Sequence, residues 1–102
     1  MTELPDPPEG LPTPSSVEAP VVLYTTRWCG FCRAALALLR ARDIEHHEVD
    51  VDGNSAARQW LRQVTRQHTV PQVFIRGRSI GGYTELAALD DDGSLEQMLA
   101  GE

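Results

Sequence analysis

The chain has no lysine. Its nine basic residues are all arginine and face 15 acids, for a net charge of −6 over 102 residues. That balance excludes a general nucleic-acid binder, which needs a basic face. No apolar run approaches the roughly 18 residues of a bilayer-crossing helix, so no membrane association is expected. The N-terminus has neither the basic start and apolar core of a secretory signal nor the Arg-rich amphipathic pattern of a transit peptide, and a cytoplasmic protein is the expectation. Cysteine is scarce too, with only Cys29 and Cys32 present. One pair three residues apart is not the framework of a disulfide-stapled secreted domain. No second Cys or His pair completes a zinc set.

A chain of 102 residues has room for one domain with a modest core. Residues 1–20 stand apart. They hold six of the seven prolines, four acids and no base, so they carry −4 of the −6. Proline density with few apolar residues predicts an extended or disordered arm, read as a solubilising tail in preference to a docking arm. The globular domain is then 21–102.

Within that domain the apolar run Val21–Tyr24 reads as a buried strand, and Gly30–Arg42 as a helix with Leu36 and Leu39 on the face of Cys32. Ile44–Val51 reads as a second strand. Asn54 or Ser55 caps a helix whose Ala57, Trp60, Leu61 and Val64 follow the i, i+3, i+4, i+7 pattern. Val73–Ile75 and Ser79–Gly81 form a hairpin about Gly77. Thr84 caps a short helix through Leu89, and Ser94 with Gln97 forms a capping box for a last helix. The order is β-α-β-α-β-β-α-α. Helical crossovers between the first three strands predict parallel pairing there, before the antiparallel hairpin.

The sharpest chemical signal is Trp28-Cys29-Gly30-Phe31-Cys32, directly after the first strand and opening a helix. N–H groups of a first helical turn have no internal acceptors, and the helix dipole adds positive potential. Both favour a thiolate at Cys29, below the ~8.5 of a free thiol. Cys29 is therefore the expected nucleophile. Cys32, one turn further in and within disulfide reach, is the expected resolving thiol. Thr69-Val70-Pro71 precedes the third strand. A proline there is a candidate for a cis bond, and beside Cys29 it leaves the Val70 backbone free to pair with an incoming extended thiol peptide. Gly81-Gly82-Tyr83-Thr84 opens a helix whose first N–H groups suit a small carboxylate.

Together, Tyr24-Thr25, Cys29-Gly30-Phe31-Cys32, Thr69-Val70-Pro71-Gln72-Val73-Phe74-Ile75 and Gly81-Gly82-Tyr83-Thr84-Glu85-Leu86 resemble a glutaredoxin in order and spacing, over about Pro20–Gly101. The resemblance implies an α/β thioredoxin fold with a central four-stranded mixed sheet flanked by helices. It implies an oxidoreductase that uses glutathione to reduce protein–glutathione mixed disulfides and protein disulfides. Carried over by position, Cys29 accepts the glutathionyl group and Cys32 resolves. Thr69, Val70 and Pro71 hold the cysteinyl part of glutathione beside Phe31. Gly82, Tyr83 and Thr84 bind the γ-glutamyl carboxylate, and Arg58 faces the glycyl carboxylate as a bidentate clamp.

Two departures from the family pattern stand out. Where many members carry Lys three residues before the first Cys, this chain has Thr26, with Arg27 next to it as the replacement charge. Trp28 before the motif is also similar to bacterial relatives that use another low-molecular-weight thiol such as mycothiol. Gly30, in place of the frequent Pro, is similar to members that carry a [2Fe–2S] cluster between two protomers on the first Cys and glutathione. The alternative reading is therefore a cluster carrier with Cys29 as iron ligand. A monomer is expected, and a dimer only in the cluster-bound form.

His46, His47, Asp50 and Asp52 are read as a solvated strand rather than a metal site, since His46 and His47 leave a strand on opposite faces. His68 is read as a surface residue and Trp60 as core. Trp28 either shields the thiol or packs, and the sequence leaves both open.

Overall fold

Val21-Val22-Leu23-Tyr24-Thr25 lacks the apolar/polar alternation of a half-solvated strand, as expected of one covered on both sides. In the computed structural model, which describes residues 6–100, this segment is β1 (Val21–Thr25), buried along its whole length. It is followed by α1 (Gly30–Ala41), β2 (His46–Asp50), α2 (Ser55–Thr65), β3 (Gln72–Ile75), β4 (Arg78–Gly81), α3 (Tyr83–Asp91) and α4 (Ser94–Leu99). The predicted element order is present. Asn54 caps α2 by accepting the Ala57 N–H at 3.0 Å.

The sheet separates two apolar clusters. Val21 and Leu23 of β1 pack with Ala35, Leu36 and Leu39 of α1, Leu86 of α3 and Leu95 of α4. Val22 and Tyr24 point the other way, onto Trp60 and Leu61 of α2 and onto Phe74. Burial of each such large side chain contributes about 1.5–3 kcal/mol. Tyr24 meets Trp60 and Phe74 edge-on, at 6.0 and 5.7 Å between ring centroids. Trp60 is thus core, as expected.

Strand order is β2-β1-β3-β4. β1 and β2 are parallel, but β3 runs antiparallel to β1, with Tyr24 opposite Gln72 and Val21 opposite Ile75. This corrects the expectation of parallel pairing among the first three strands. A helix brings the chain back to the start of the next strand only if it runs the length of the sheet. Here β2 ends at Asp50, beside Thr25, and β3 starts at Gln72, beside Tyr24. The α2 connection therefore returns to the end of the sheet it left, and β3 must run backwards. The consequence is functional: β3 begins at the same end as α1, next to the cysteines.

The β3–β4 turn places both Arg76 (φ 50°) and Gly77 (φ 83°) in the left-handed region, which suits a tight two-residue hairpin. Arg76 is held there by its N–H on the Pro20 carbonyl (2.8 Å) and its guanidinium on the Leu99 carbonyl (2.6 Å).

Three local expectations are corrected. α3 is capped by Gly82, not Thr84, because the Glu85 carboxylate folds back onto the Gly82 N–H at 2.8 Å. α4 is capped by Gly93 rather than by a Ser94–Gln97 box. Gly93 takes a left-handed conformation (φ 85°), and the Ser94 N–H goes to Asp92 instead. Finally, the described part of the proline-rich arm is not free of the domain. Pro14–Ser16 forms a 3-10 turn, Leu11 and Val17 pack on the Tyr24–Trp60 cluster, and the Tyr24 hydroxyl donates to the Pro12 carbonyl at 2.7 Å. A buried phenol needs an acceptor, and the arm supplies it. Residues 1–5 of the arm, and 101–102, lie outside the described residues.

Candidate active site

α1 starts at Gly30 because Cys29 is its N-cap, with extended backbone (φ −140°) and a sulfur that accepts the Cys32 N–H at 3.1 Å. An N-cap sulfur therefore takes the place usually held by a Ser or Asp oxygen. Cys29 and Cys32 are joined in a disulfide, with Cα atoms 5.2 Å apart. Cys32 is buried, whereas Cys29 is partly exposed. The asymmetry suits an attacking sulfur at Cys29 and a resolving one at Cys32.

The Cys29 sulfur lies 3.5 Å from the Val70 carbonyl oxygen. The Val70–Pro71 bond is cis. Beyond Val70 opens a shallow cleft of about 190 Å³ lined by Phe31, Thr69, Val70, Pro71, Gly82, Tyr83, Thr84 and Glu85. Phe31 stacks on Tyr83 with ring centroids 6.2 Å apart and forms one wall. The opposite rim is backbone. A Cβ on Gly82 would sit 3.3 Å from the Pro71 carbonyl, so glycine is what lets α3 approach the Pro71 loop. Glu85 occupies the Gly82 N–H, while helix geometry leaves the N–H groups of Tyr83 and Thr84 without intrahelical acceptors. The cleft thus offers two backbone donors at a helix N-terminus, a suitable place for an anionic group.

Seven of the nine positions expected to contact glutathione form this lining: Phe31, Thr69, Val70, Pro71, Gly82, Tyr83 and Thr84. Arg27 and Arg58 are outside it. Arg27 points to Asp52 at 4.0 Å, and its carbonyl accepts from the Arg33 guanidinium at 3.1 Å. Arg58 donates through Nη2 to the His68 carbonyl at 3.2 Å, so it ties α2 to the loop before Thr69. Trp28 is 89% exposed and does not shield the thiol. Two larger cavities, about 290 Å³ beside Arg42 and Asp90 and about 350 Å³ under the N-terminal segment, lie away from the cysteines, and a third of about 280 Å³ is lined by Arg27 and Arg33, which flank the cysteine motif, with Glu48 and Asp50. No cluster of three or more metal-ligating side chains, and no helix long and apolar enough to cross a membrane, occurs among the described residues.

Residue-by-residue reading missed two contributors. Glu85 orders the start of α3, and the spacing Gly82-x-x-Glu85 carried that signal as half of a capping box. Gln72 is fully buried beneath the loop that carries Val70. Nothing in its sequence position distinguishes it from an ordinary strand residue.

The glutaredoxin family model matches residues 21–80, more than half of the chain and all of β1 through β3 with most of β4. The chain belongs to the glutaredoxin family. It is 40% identical to Glutaredoxin 3 of Escherichia coli K12 over 81 residues, 79% of this chain and 98% of that protein. Among solved structures it is similar to the buckwheat glutaredoxin–glutathione complex (TM-score 0.76, 32% identity, 80% of this chain and 77% of that one). It is also similar to a dithiolic glutaredoxin of Trypanosoma brucei brucei (TM-score 0.75, 34% identity, 88% and 98%). The expected four-stranded thioredoxin fold is the one observed. As a glutaredoxin with a Cys29–Cys32 pair, the protein is a thiol–disulfide oxidoreductase.

Proposed function

We propose that this glutaredoxin reduces protein–glutathione mixed disulfides and protein disulfides with glutathione as co-substrate. The observation that carries the reading is that the Cys29 sulfur lies 3.5 Å from the carbonyl oxygen of Val70, and Val70 lines one cleft with the Tyr83–Thr84 helix start. The buckwheat relative, solved as a glutathione complex, supports it.

In the reduced protein the Cys32 N–H and the α1 dipole stabilise the Cys29 thiolate. That thiolate attacks the glutathionyl sulfur of a protein–glutathione disulfide. The S–S bond breaks, the protein thiolate leaves and takes a proton from water, and Cys29 carries the glutathionyl group. The backbone of Val70 pairs with the cysteinyl part of glutathione. The Tyr83 and Thr84 N–H groups, with the Thr84 hydroxyl, receive the γ-glutamyl carboxylate. A second glutathione thiolate then attacks the bound glutathionyl sulfur, and glutathione disulfide departs. Alternatively, the Cys32 thiolate attacks the Cys29 sulfur, glutathione departs, and the Cys29–Cys32 disulfide seen in the structure is left. Arg58 reaches a glycyl carboxylate only with guanidinium N–H groups not directed at the His68 carbonyl. Arg27 adds positive charge near the thiol but stands outside the cleft lining. This chemistry belongs in a reducing compartment such as the cytoplasm.

For a [2Fe–2S] cluster the chain offers one accessible thiolate, Cys29 in the reduced state, and Cys32 is buried. The remaining sulfur ligands would come from a second copy and from glutathione. The reductase ranks first because Cys32 keeps the dithiol route open.

The test is NADPH-coupled turnover of a glutathionylated peptide with glutathione and glutathione reductase. Turnover that is abolished in Cys29→Ser and kept in Cys32→Ser supports the reading. No turnover from folded, reduced wild type contradicts it and directs attention to another small thiol, or to reconstitution with iron and sulfide.

A further inference from the structure

Gln72 opens β3 directly opposite Tyr24. Opposed residues of an antiparallel pair leave the sheet on the same face, so the Gln72 amide enters the apolar layer of Tyr24 and Phe74. It is fully buried. A primary amide in such a layer is costly unless hydrogen-bonded. Both Gln72 bonds of good length lead to one place, the loop between α2 and β3. Its Nε2 donates to the Thr69 carbonyl at 2.8 Å and to the Gln67 side-chain oxygen at 3.0 Å. Its own Oε1 is buried without a partner among the described residues. An apolar residue of the same bulk would avoid that orphan, so stability alone does not account for the amide.

The geometry of the peptide unit does account for it. The Thr69 carbonyl and the Val70 N–H belong to one rigid plane and point in opposite directions across a trans bond. When the Thr69 carbonyl is held down onto the buried Gln72 amide, the Val70 N–H is aimed outward. We propose that Gln72 is a positioning residue for thiol exchange, fixing the Thr69–Val70 peptide so that the Val70 backbone is presented to the sulfur-bearing segment arriving at Cys29. The proposal rests on the glutathione-linked reading above.

The experiment compares wild type with Gln72→Met, which keeps length and bulk and removes the amide. Thr69 and Gln67 are exposed, so their oxygens rehydrate when the amide is lost. The buried orphan disappears as well, and the thermal midpoint stays close to wild type. KM for a glutathionylated peptide rises about five- to tenfold, equivalent to about 1–1.4 kcal/mol, with kcat changed less than twofold. The pH profile of Cys29 alkylation, set by α1, does not move. Backbone order parameters of Thr69 and Val70 fall from about 0.85 toward 0.6, while those of Val73–Ile75 do not. Gln67→Ala, which removes the side-chain acceptor and keeps the main-chain one, stays within twofold of wild type in KM. Unchanged order parameters and KM in a folded Gln72→Met variant would overturn the proposal. If wild type itself shows no glutathione-coupled turnover, the functional reading fails, and the order parameters still decide whether Gln72 holds the loop.

Discussion

Replacing Gly81 by alanine strikes the point where β4 hands over to α3 beside the cleft. Gly81 has φ +108°, and a Cβ there would lie 2.8 Å from the Glu85 Oε1 and 2.9 Å from its Cγ. Two costs follow. The backbone conformation is one that L side chains avoid, at roughly 1–3 kcal/mol. Glu85 must also swing out and release the Gly82 N–H it holds at 2.8 Å, and loss of such a cap costs about 0.5–2 kcal/mol. The total is at least about 1.5 kcal/mol. For a domain of this size each kcal/mol moves the midpoint by roughly 4–8 °C, so Tm should fall by at least about 6 °C. Thermal unfolding followed by circular dichroism reads this directly. Two controls separate the terms. Gly77→Ala is also at positive φ (83°) but meets nothing within 4 Å, so it carries the backbone cost alone. Glu85→Ala removes the cap without backbone strain. A fall of less than about 4 °C in Gly81→Ala would refute the reasoning, as would a Gly77→Ala effect of equal size.

The N-terminal segment and Tyr24 yield two further expectations. Removing residues 1–17 exposes the face covered by Leu11 and Val17 and strips Tyr24 of the Pro12 carbonyl. The truncated protein should unfold several degrees earlier, with altered Trp60 fluorescence. An unchanged midpoint would show that the arm packs without contributing. Burial raises the Tyr24 phenol above its ordinary ionisation range. A group whose folded pKa is raised contributes stability that is present below the unfolded value, ~10, and is lost as pH climbs from there toward the folded value. Denaturant midpoints of wild type should therefore drop above about pH 10. Tyr24→Phe should flatten that alkaline limb, while losing about 1 kcal/mol at neutral pH with the Pro12 hydrogen bond.

Much of the fold was legible because its signals are local. The uninterrupted apolar run at β1 reads as a strand covered on both faces. The α2 pattern put Trp60 and Leu61 on one face, and Cys29 stood where a helix must begin. The cleft was legible as separate pieces, Val70-Pro71 and Gly82-Tyr83-Thr84, and the family resemblance assembled them. What was not legible depends on where a segment returns in space. Periodicity fixes which face of α2 is buried but not the direction in which it delivers the chain, so the antiparallel β1–β3 pairing was missed. Composition marks residues 1–20 as proline-rich, but not that Tyr24 has a buried hydroxyl for Pro12 to satisfy. Arg58 has the right spacing for a carboxylate clamp, yet its first partner is the His68 carbonyl. That bond depends on how the α2–β3 loop folds, which no spacing rule encodes.

The central claim is that Cys29 receives a glutathionyl group in the Val70–Thr84 cleft. The most direct measurement is the intact mass of reduced Cys32→Ser protein after brief exposure to a glutathionylated peptide, with peptide mapping of the modified residue. The account predicts one glutathionyl group per chain, on Cys29, removed by added glutathione. An unmodified chain, or a mixed disulfide with the peptide in place of glutathione, would contradict it.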